Sequence, residues 1–391
     1  MGARRKYDIV LFGATGFTGS LTAEYLARHA PATLRWALAG RNADKLKIVR
    51  ARLGDINPAC KDIALLSADV DDAGSIKAVA ESTKVVITTV GPYIKYGEPL
   101  VAACAAAGTD YVDLTGEPEF VDSMWLKYHE QARASGARIV NCCGFDSIPH
   151  DLGAYFTVKH LPDDVPLKVE GFVRAGGTFS GGTFHSAVTA FSRLGEYARI
   201  RKQRRQREGY PLDRKIGSTR QTIHYMKEFG AWAVPMPTID PQIVRRTAVA
   251  NDRYGPNFRY GHFILVKKLP QVFALVGGAA AVLAGSQIKA TRDRMLKFKN
   301  PGDGPTEEQR NKGWFRIRFI GIGGNKRLMT EVSGGDPGYG ETSKMLAESA
   351  LCLALDRLPR KGGVITPAQA MGDALIDRLQ TAGIQFKVIS T

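Results

Sequence analysis

The residues from Gly13 to Gly19 (G-A-T-G-F-T-G) have the types and spacing needed to hold a pyrophosphate. They follow the apolar run D-I-V-L-F and precede a helical pattern over residues 21–30, in the order strand, turn and helix. Such a turn aims backbone N–H groups at one point, where the helix N-terminus adds positive partial charge. The motif predicts a dinucleotide site formed by Gly13, Ala14, Thr15, Gly16, Phe17, Thr18 and Gly19.

The residue that follows the second predicted strand, residues 34–39, indicates which dinucleotide binds. Arg41 stands where an NAD site usually carries a carboxylate for the ribose 2′-hydroxyl. A guanidinium pairs with a 2′-phosphate through two N–H groups, whereas a carboxylate repels it. We therefore predict NADP(H) as the cofactor. The alternative is that Arg41 is a solvated residue at the start of a helix.

The loop after the fourth predicted strand, residues 84–90, holds the next candidates. Ligands of doubly wound sheets bind at the carboxyl ends of the strands, so Thr89, Gly91 and Pro92 are expected near the nicotinamide half of the cofactor. Tyr93 follows them and is a candidate proton donor. Its alternative role is to pack against the cofactor or the substrate.

Carboxylates follow the fifth and sixth predicted strands. Asp113, Glu117 and Asp146 are candidates to orient a substrate or to act as acid and base. Asp146 and Ser147 suit a helix N-cap equally well. His150 either transfers a proton near neutral pH or is a surface histidine without a chemical role. The spacing shows no catalytic triad and no set of metal ligands, and the five cysteines predict neither a zinc site nor disulfides.

The order of the apolar runs predicts how these residues are positioned. Short runs alternate with helical patterns over residues 1–150, which predicts an α/β fold with a Rossmann-type doubly wound parallel sheet. Longer extended runs over residues 151–335 predict a second, mixed α/β domain for the substrate. Within it, the glycine-rich passage from Arg174 to Thr183 either bounds the substrate pocket or is a flexible loop. Residues 336–391 are expected to form a C-terminal helical segment that packs back on the first domain.

The charge of the chain is strongly positive, with 54 Lys and Arg against 38 Asp and Glu. The excess is concentrated in the second half, in the run Arg199–Arg207 and in the cluster of Lys289, Arg292, Arg294, Lys297 and Lys299. These groups are either solvated helix faces or surfaces for an anionic membrane, an acidic acyl carrier protein or a phosphate-bearing substrate. Nucleic acid is not expected, because no nucleic-acid-binding motif accompanies the charge.

Residues 269–288 form a stretch of twenty residues without a charge. Its continuous apolar part is about 20 Å long as a helix, short of the roughly 30 Å of a hydrocarbon layer. The segment is therefore a core or subunit-contact helix, a helix on a membrane surface or, least in keeping with its length, a true span. The flanking basic clusters favour the membrane surface over the others. Because residues 1–7 lack an apolar signal region, we expect a cytoplasmic protein, peripheral at the inner face of the membrane under the second interpretation.

Ordered motifs along nearly the whole chain resemble the saccharopine dehydrogenase-like oxidoreductases, and in particular the trans-acting enoyl reductases of mycobacteria. The motifs are D-I-V-L-F-G-A-T-G-F-T-G, A-L-A-G-R, T-T-V-G-P-Y, Y-V-D-L-T-G-E, C-G-F-D-S-I-P-H-D-L, F-S-G-G-T, G-D-P-G-Y and I-T-P-A-Q-A-M-G-D-A-L. The resemblance implies an NADP-binding Rossmann-type domain, a second α/β domain and hydride chemistry. The chain departs from the mycobacterial pattern at R-A-G-G-T-F-S-G-G-T, at His150 where serine is expected, and at Arg199–Arg207.

Three functions follow from the residues and the resemblance. The first is NADPH-dependent reduction of the activated double bond of a carrier-bound, thioester-linked lipid or polyketide chain. The second is imine or carbonyl reduction on an amino acid-derived substrate. The third is a membrane-associated module that binds NADPH without turnover. The apolar segment and the basic clusters favour the first over the second, because a small polar substrate needs neither.

Overall fold

The computed structural model describes residues 5–177, 181–209, 213–297 and 304–390. These residues form two compact units. The first contains residues 5–145, Gly304 and Tyr339–Arg378, and the second contains the other described residues from Asp146 to Gly338 together with residues 379–390.

Fifteen strands and sixteen helices make up the described chain, besides three short 3-10 turns. The strands are β1 (Tyr7–Phe12), β2 (Trp36–Gly40), β3 (Ala64–Ser67), β4 (Thr83–Thr88), β5 (Asp110–Val112), β6 (Arg138–Val140), β7 (Leu167–Gly176), β8 (Lys215–Ser218), β9 (His224–Met226), β10 (Ala231–Pro235), β11 (Asn257–Val266), β12 (Trp314–Gly323), β13 (Lys326–Gly334), β14 (Gly363–Ile365) and β15 (Gln385–Ser390). The helices are α1 (Phe17–His29), α2 (Ala43–Ile56), α3 (Ala73–Ser82), α4 (Tyr93–Tyr96), α5 (Glu98–Ala107), α6 (Pro118–Ser135), α7 (Ile148–Lys159), α8 (Gly181–Ser192), α9 (Leu194–Glu208), α10 (Asp240–Val249), α11 (Leu269–Gln287), α12 (Lys289–Lys297), α13 (Glu307–Asn311), α14 (Gly340–Leu355), α15 (Pro367–Ala370) and α16 (Gly372–Thr381).

A seven-stranded sheet forms the centre of the first unit, in the order β14-β6-β5-β4-β1-β2-β3. All of its strand pairs are parallel, which confirms the predicted doubly wound sheet. Strands β1 and β4 lie side by side although β2, β3 and three helices (α1, α2 and α3) lie between them in the chain. The order of the strands therefore reverses there. A ligand of such a sheet binds beyond the carboxyl ends of the strands at this point, next to Phe12 and Thr88.

The apolar runs of the central strands are continuous rather than alternating because helices cover both faces of the sheet. Ile9, Val10 and Leu11 of β1 are all fully buried. Helix α14 packs against α1 and contacts β1, β4 and β5, while α5 packs between α3 and α6. This packing fixes the strand ends that carry the predicted cofactor residues.

A mixed sheet forms the second unit, in the order β15-β13-β12-β7-β11-β10-β9, with β8 beside β11. Strands β7 and β8 run parallel to β11, whereas the other pairs are antiparallel. Helix α7 packs on β7, β12 and β13. Gly324 and Asn325 form the turn that joins β12 to β13.

The C-terminal segment differs from the prediction of a helical segment over residues 336–391. It contains two strands as well as helices: β14 pairs with β6 of the first sheet, and β15 pairs with β13 of the second. Helices α15 and α16 of this segment are separated at Gly372, whose φ is +47°. Strand β14 is only three residues long, too short for any periodicity to show it.

Helix α7 lies unusually close to the sheet beneath it because Gly153 has no side chain. A Cβ atom at Gly153 would lie 2.4 Å from the Phe319 ring and 3.0 Å from a Val332 methyl group. Both neighbours are buried in the sheet of the second unit, so neither can move aside without disturbing its own packing.

We expect Gly153→Ala to lower the free energy of unfolding by about 1–3 kcal/mol, the usual cost of overpacking a core. Urea unfolding followed by circular dichroism measures this change. The matched control is Gly195→Ala in α9, where a Cβ would meet no atom within 4 Å. There alanine leaves stability unchanged or raises it slightly. Equal stability of the two variants would show that the helix and sheet are not in close contact.

Candidate cofactor and active site

The glycine-rich loop between β1 and α1 has the shape of a phosphate cradle, and two of its glycines are required by the protein itself. Gly13 has a φ of +91°, which favours glycine, and its N–H donates to the Ala39 carbonyl oxygen at 3.0 Å. A Cβ at Gly19 would lie 2.2 Å from the Gly13 carbonyl oxygen. Glycine at position 19 therefore lets α1 approach the loop this closely.

The third glycine, Gly16, faces solvent and leaves room for a ligand. It occupies the N-cap position of α1, and a Cβ there would meet nothing closer than the Gly13 carbonyl oxygen at 3.5 Å. Among the described residues no side chain caps this helix end, and its first turn contains no acidic residue. The exposed Thr15 and Gly16 therefore lie beside an uncapped helix N-terminus, an arrangement that fits an anionic pyrophosphate.

The remaining residues of the motif support the loop. Ala14 is fully buried. The Phe17 ring packs edge-on against the Tyr339 ring, with centroids 4.8 Å apart. Ser343 Oγ donates to the Thr18 carbonyl oxygen at 3.4 Å. Tyr339 and the start of α14 thus pack against the cofactor loop.

Arg41 lies on the surface directly after β2, at the ligand-binding edge of the sheet. The next residue, Asn42, caps α2 by accepting from the Lys45 N–H at 2.9 Å. Arg41 forms no hydrogen bond or ion pair with any residue in the described part of the chain. Its guanidinium therefore fits the expected role of pairing with a 2′-phosphate.

The loop after β4 is held against the glycine-rich loop. Thr89 Oγ1 donates to the Gly13 carbonyl oxygen at 3.1 Å, and the Thr89 N–H donates to the Phe12 carbonyl oxygen at the same distance. The peptide bond from Gly91 to Pro92 is cis. Of the predicted nicotinamide-facing residues, Thr89 thus binds the cofactor loop directly, and Gly91 and Pro92 follow in the same turn.

Glu117 shapes this turn from the other side. Its two carboxylate oxygens accept from the main-chain N–H groups of Tyr93, at 3.0 Å, and Ile94, at 2.8 Å. Glu117 is 4% exposed. This carboxylate, a sequence candidate for acid-base chemistry, instead binds the start of α4 and fixes the turn.

The Tyr93 phenol is buried beneath the turn rather than directed to solvent. Its hydroxyl donates to the Thr88 carbonyl oxygen at 3.1 Å and accepts from the Leu114 N–H at 3.4 Å. Burial and the nearby charge of Asp113 hold the pKa of Tyr93 well above its usual range. The phenol therefore joins the ends of two strands. Its predicted role as a proton donor stays a prediction.

Asp113 holds the loops that follow β5 and β6. Its Oδ2 atom accepts from Tyr111 Oη at 2.9 Å and Asn141 Nδ2 at 2.7 Å, and its Oδ1 atom accepts from the Thr115 N–H at 3.1 Å and the Cys142 N–H at 2.9 Å. Burial raises the pKa of Asp113 to about 6, although these donors oppose the rise. Cys142 has a φ of +64°, rare for a residue with a side chain. Asp113 therefore stabilises the loop conformation.

The chain after β6 enters the second unit at Asp146, the other predicted catalytic residue. Asp146 is partly buried, and this burial together with the charge of Asp240 raises its pKa to about 6, whereas His150 opposes the rise. The N-cap position of α7 belongs to Ser147, which makes no capping hydrogen bond through its side chain. Of the two predicted N-cap residues, Ser147 thus holds that position and Asp146 does not.

His150 is not a surface histidine, because only 2% of it is exposed. Its Nδ1 atom lies 3.1 Å from Asp240 Oδ1, and Asp240 Oδ2 lies 3.5 Å from His262 Nε2. The two rings lie edge to face with centroids 4.8 Å apart. His150 and the missed residues Asp240 and His262 form a buried cluster, called the His-Asp-His cluster below.

In the His-Asp-His cluster, the two imidazole rings favour the ionised form of the Asp240 carboxyl. Burial opposes ionisation of Asp240, but His150 and His262 outweigh it and hold the pKa of Asp240 below its usual range. Burial lowers the pKa of His262 to about 3 despite Asp240. The cluster joins the first turn of α7, the start of α10 and the middle of β11. Sequence spacing showed no metal ligands because these residues are separated by more than twenty positions in each case.

Some predicted site residues lie outside the described residues. Residues 178–180 of the glycine-rich passage Arg174–Thr183 are among them, and so is Lys299 of the second basic cluster. Helix α8 begins at Gly181, within this passage. The hypothesis that this passage bounds the substrate pocket stays a prediction.

Comparison with known proteins gives one family match and several relatives. The family described as "Saccharopine dehydrogenase NADP binding domain" matches residues 9–140. A putative trans-acting enoyl reductase of Mycobacterium tuberculosis is 40% identical, covering 98% of this chain and 97% of the relative. A trans-acting enoyl reductase of Mycobacterium bovis is 36% identical with the same coverage.

Among solved structures, the chain resembles the apo saccharopine dehydrogenase (L-Glu forming) of Saccharomyces cerevisiae. The TM-score is 0.58 at 13% identity, covering 98% of this chain and 100% of that one. This likeness shows the fold. Together with the family match, whose residues include the glycine-rich loop and Arg41, it confirms the predicted fold class and the predicted cofactor, NADP(H).

We expect Arg41→Ala to weaken NADPH binding by about 10- to 100-fold and to leave NADH binding unchanged, because hydrogen bonds to a charged group contribute about 1.5–3 kcal/mol. Fluorescence titration of the two reduced cofactors measures both affinities. Lys47→Ala is the control, since this exposed lysine of α2 pairs with Asp44. Equal losses of NADPH and NADH affinity in Arg41→Ala would contradict a contact with the 2′-phosphate.

Proposed function

This chain belongs to the trans-acting enoyl reductase family, a branch of the saccharopine dehydrogenase-like oxidoreductases, and we propose that it reduces the α,β double bond of a thioester-linked lipid or polyketide chain. The observation that supports NADPH binding is the glycine-rich loop, which lies beside the exposed Arg41. The substrate half is supported by the names of the relatives, which match over 98% of the chain. The two halves support an NADPH-dependent oxidoreductase.

We assign the cofactor contacts to two loops of the first unit. Residues 13–19 hold the pyrophosphate through main-chain N–H groups, and Arg41 pairs with the 2′-phosphate. Thr89, Gly91 and Pro92 lie beside the nicotinamide half, in the turn fixed by Glu117. NADPH supplies the hydride that the β carbon of the substrate receives. Preorganised loops of this kind contribute to the rate by orienting the reactants.

Reduction also requires a proton at the α carbon, and we propose that the Asp146 carboxyl donates it. Asp146 follows the end of β6 by six residues and is partly exposed. The Tyr93 hydroxyl, by contrast, is already engaged by two main-chain groups. We therefore assign Tyr93 a positioning role in the turn.

Single-turnover oxidation of NADPH with a long-chain trans-2-enoyl coenzyme A thioester tests the reaction and the donor. We expect Asp146→Asn to slow this step by about 100-fold or more, the usual contribution of a general acid. Tyr93→Phe should slow it by less than about tenfold, because the ring that fills the core remains. NADPH affinity, measured separately, should stay unchanged in Asp146→Asn.

An unchanged rate in Asp146→Asn would remove Asp146 as the donor, and a large loss in Tyr93→Phe alone would transfer that role to the phenol. Absence of NADPH oxidation with enoyl thioesters, together with activity on a ketone or an imine, would replace the proposed reaction. The imine alternative rests on a structural likeness at 13% identity, which shows the fold alone.

We also propose that the protein is cytoplasmic and docks on the inner face of an anionic membrane through α11 and α12. Helix α11 is long and apolar enough to cross a membrane, yet only 11% of its apolar window is buried. It packs on α8 and buries Val272, which is 3% exposed, but leaves Phe273 69% exposed. Such a surface on a soluble domain is typical of a binding site.

The basic residues on both sides of α11 favour an anionic membrane as its partner. Lys267 and Lys268 precede the helix and are exposed, and the exposed Lys289, Arg294 and Lys297 of α12 follow it. Basic side chains near an anionic bilayer contribute about 1 kcal/mol each to binding.

The exposed Lys202, Arg205 and Arg207 of α9 suit an acidic acyl carrier protein, which stays a prediction.

We expect Phe273→Glu to reduce flotation with phosphatidylserine-containing vesicles by about 10- to 100-fold, since burying a phenylalanine side chain contributes about 1.5–3 kcal/mol. Ile48→Glu is the matched control, because Ile48 in α2 is 70% exposed and lies in the first unit. Flotation should fall with added salt and should be weak with phosphatidylcholine alone. A wild-type protein that does not float with the vesicles would contradict membrane binding. A dimer that Phe273→Glu dissociates would show instead that α11 forms a contact between subunits.

A further inference from the structure

We propose that the His-Asp-His cluster of the second unit is a binding site for one divalent transition-metal ion of the zinc class. Two imidazoles and one carboxylate are a common donor set for such ions. The residues come from three separate elements and converge in a buried position, with no more than 2% of any of them exposed.

The distances between the donor atoms fit coordination around a common centre. One donor atom from each of the three residues lies within 4.8 Å of the others. His150 Nδ1 and Asp240 Oδ1 are 3.1 Å apart. Ligands about 2.0–2.1 Å from a tetrahedral zinc ion lie roughly 3.3 Å from each other. A small inward movement of His262 would therefore complete the set.

Hydroxyl groups of two neighbouring residues contact Asp240 and His262. Thr238 Oγ1 donates to Asp240 Oδ2, and Tyr260 Oη lies 3.4 Å from His262 Nδ1. These contacts leave Asp240 Oδ1 and His262 Nε2 facing the cluster. Hydrogen bonds to the remote atoms of metal ligands are the usual means of fixing their orientation.

A hydrogen bond does not account for the position of His262 Nε2. This atom is 3.5 Å from Asp240 Oδ2 and makes no aligned hydrogen bond to any described residue, although the side chain is fully buried. A buried ring nitrogen without an aligned partner is costly. A metal ion would use the lone pair of this nitrogen and would balance the negative charge of Asp240.

Three protein ligands leave the fourth position of a tetrahedral zinc ion to water or to another ligand, and zinc itself is not redox-active. The ion would tie α7 to α10 and β11, three elements whose contacts are otherwise made by packing and by hydrogen bonds such as Thr247 Oγ1 to Asp151 Oδ1 at 2.6 Å. Metal affinity of such a site adds directly to the stability of the fold around it.

The test uses the full chain and needs no substrate, so its result is independent of the proposed reaction. Wild-type protein incubated with Zn²⁺ and dialysed should retain about one ion per chain by elemental analysis. Co²⁺ should give visible absorption bands, and a chelator should lower the melting temperature. We expect His262→Gln and His150→Ser to weaken Co²⁺ binding by at least roughly 100-fold. Loss of a group that only hydrogen-bonds to a metal ligand already weakens binding by up to about 100-fold, and these variants remove a ligand itself.

His160→Gln is the matched control, because His160 ends α7 outside the cluster and its Nδ1 atom lies 2.8 Å from the Phe156 carbonyl oxygen. This variant should bind Co²⁺ as the wild type does. Wild-type protein that retains no Zn²⁺ and gives no Co²⁺ bands would overturn the proposal, whether or not the variants fold. Binding that persists unchanged in both ligand variants would also overturn it.

Discussion

The carboxylate of Asp113 is the interaction on which the ligand-binding edge of the first unit depends. A carboxylate fully removed from water is tolerated only where donors replace its hydration. Here four donors do so, and three of them belong to the loops that follow β5 and β6. The same residue accepts the Cys143 N–H through its carbonyl oxygen at 2.6 Å. The chain can then leave β6 in the left-handed conformation of Cys142 and reach Asp146.

Glu117 applies the same principle to the neighbouring turn. Its carboxylate replaces water at two main-chain N–H groups at the start of α4. The Tyr93 hydroxyl then joins this turn to the loop after β5. Two buried acids and one phenol thus set the shape of the loops, while the groups left for a ligand are main-chain amides, Arg41 and exposed glycine. The residues that shape the site are therefore different from the residues that we propose bind the cofactor.

The sequence predicted the parts of the structure that depend on neighbouring residues. The glycine-rich turn, Arg41 at the strand end and the parallel order of β1–β6 follow from local patterns, and they were confirmed. The roles of Asp113 and Glu117 did not follow, since an acid at a strand end has the same pattern whether it faces ligand or main chain. Asp240 and His262 were missed because only tertiary packing brings them to His150. Strand β14 is too short to give a periodic signal.

The three glycines of the cofactor loop are under different constraints. This difference predicts how each position varies among related sequences. Gly13 and Gly19 are required by backbone conformation and by the close approach of α1, so any chain with this fold must keep them. Gly16 has room for a side chain as far as the protein is concerned. A glycine retained at this position in relatives would therefore reflect selection for the ligand rather than for the fold. In an alignment of relatives, loss of the middle glycine with retention of the outer two would mark lineages that have kept the fold and abandoned the cofactor.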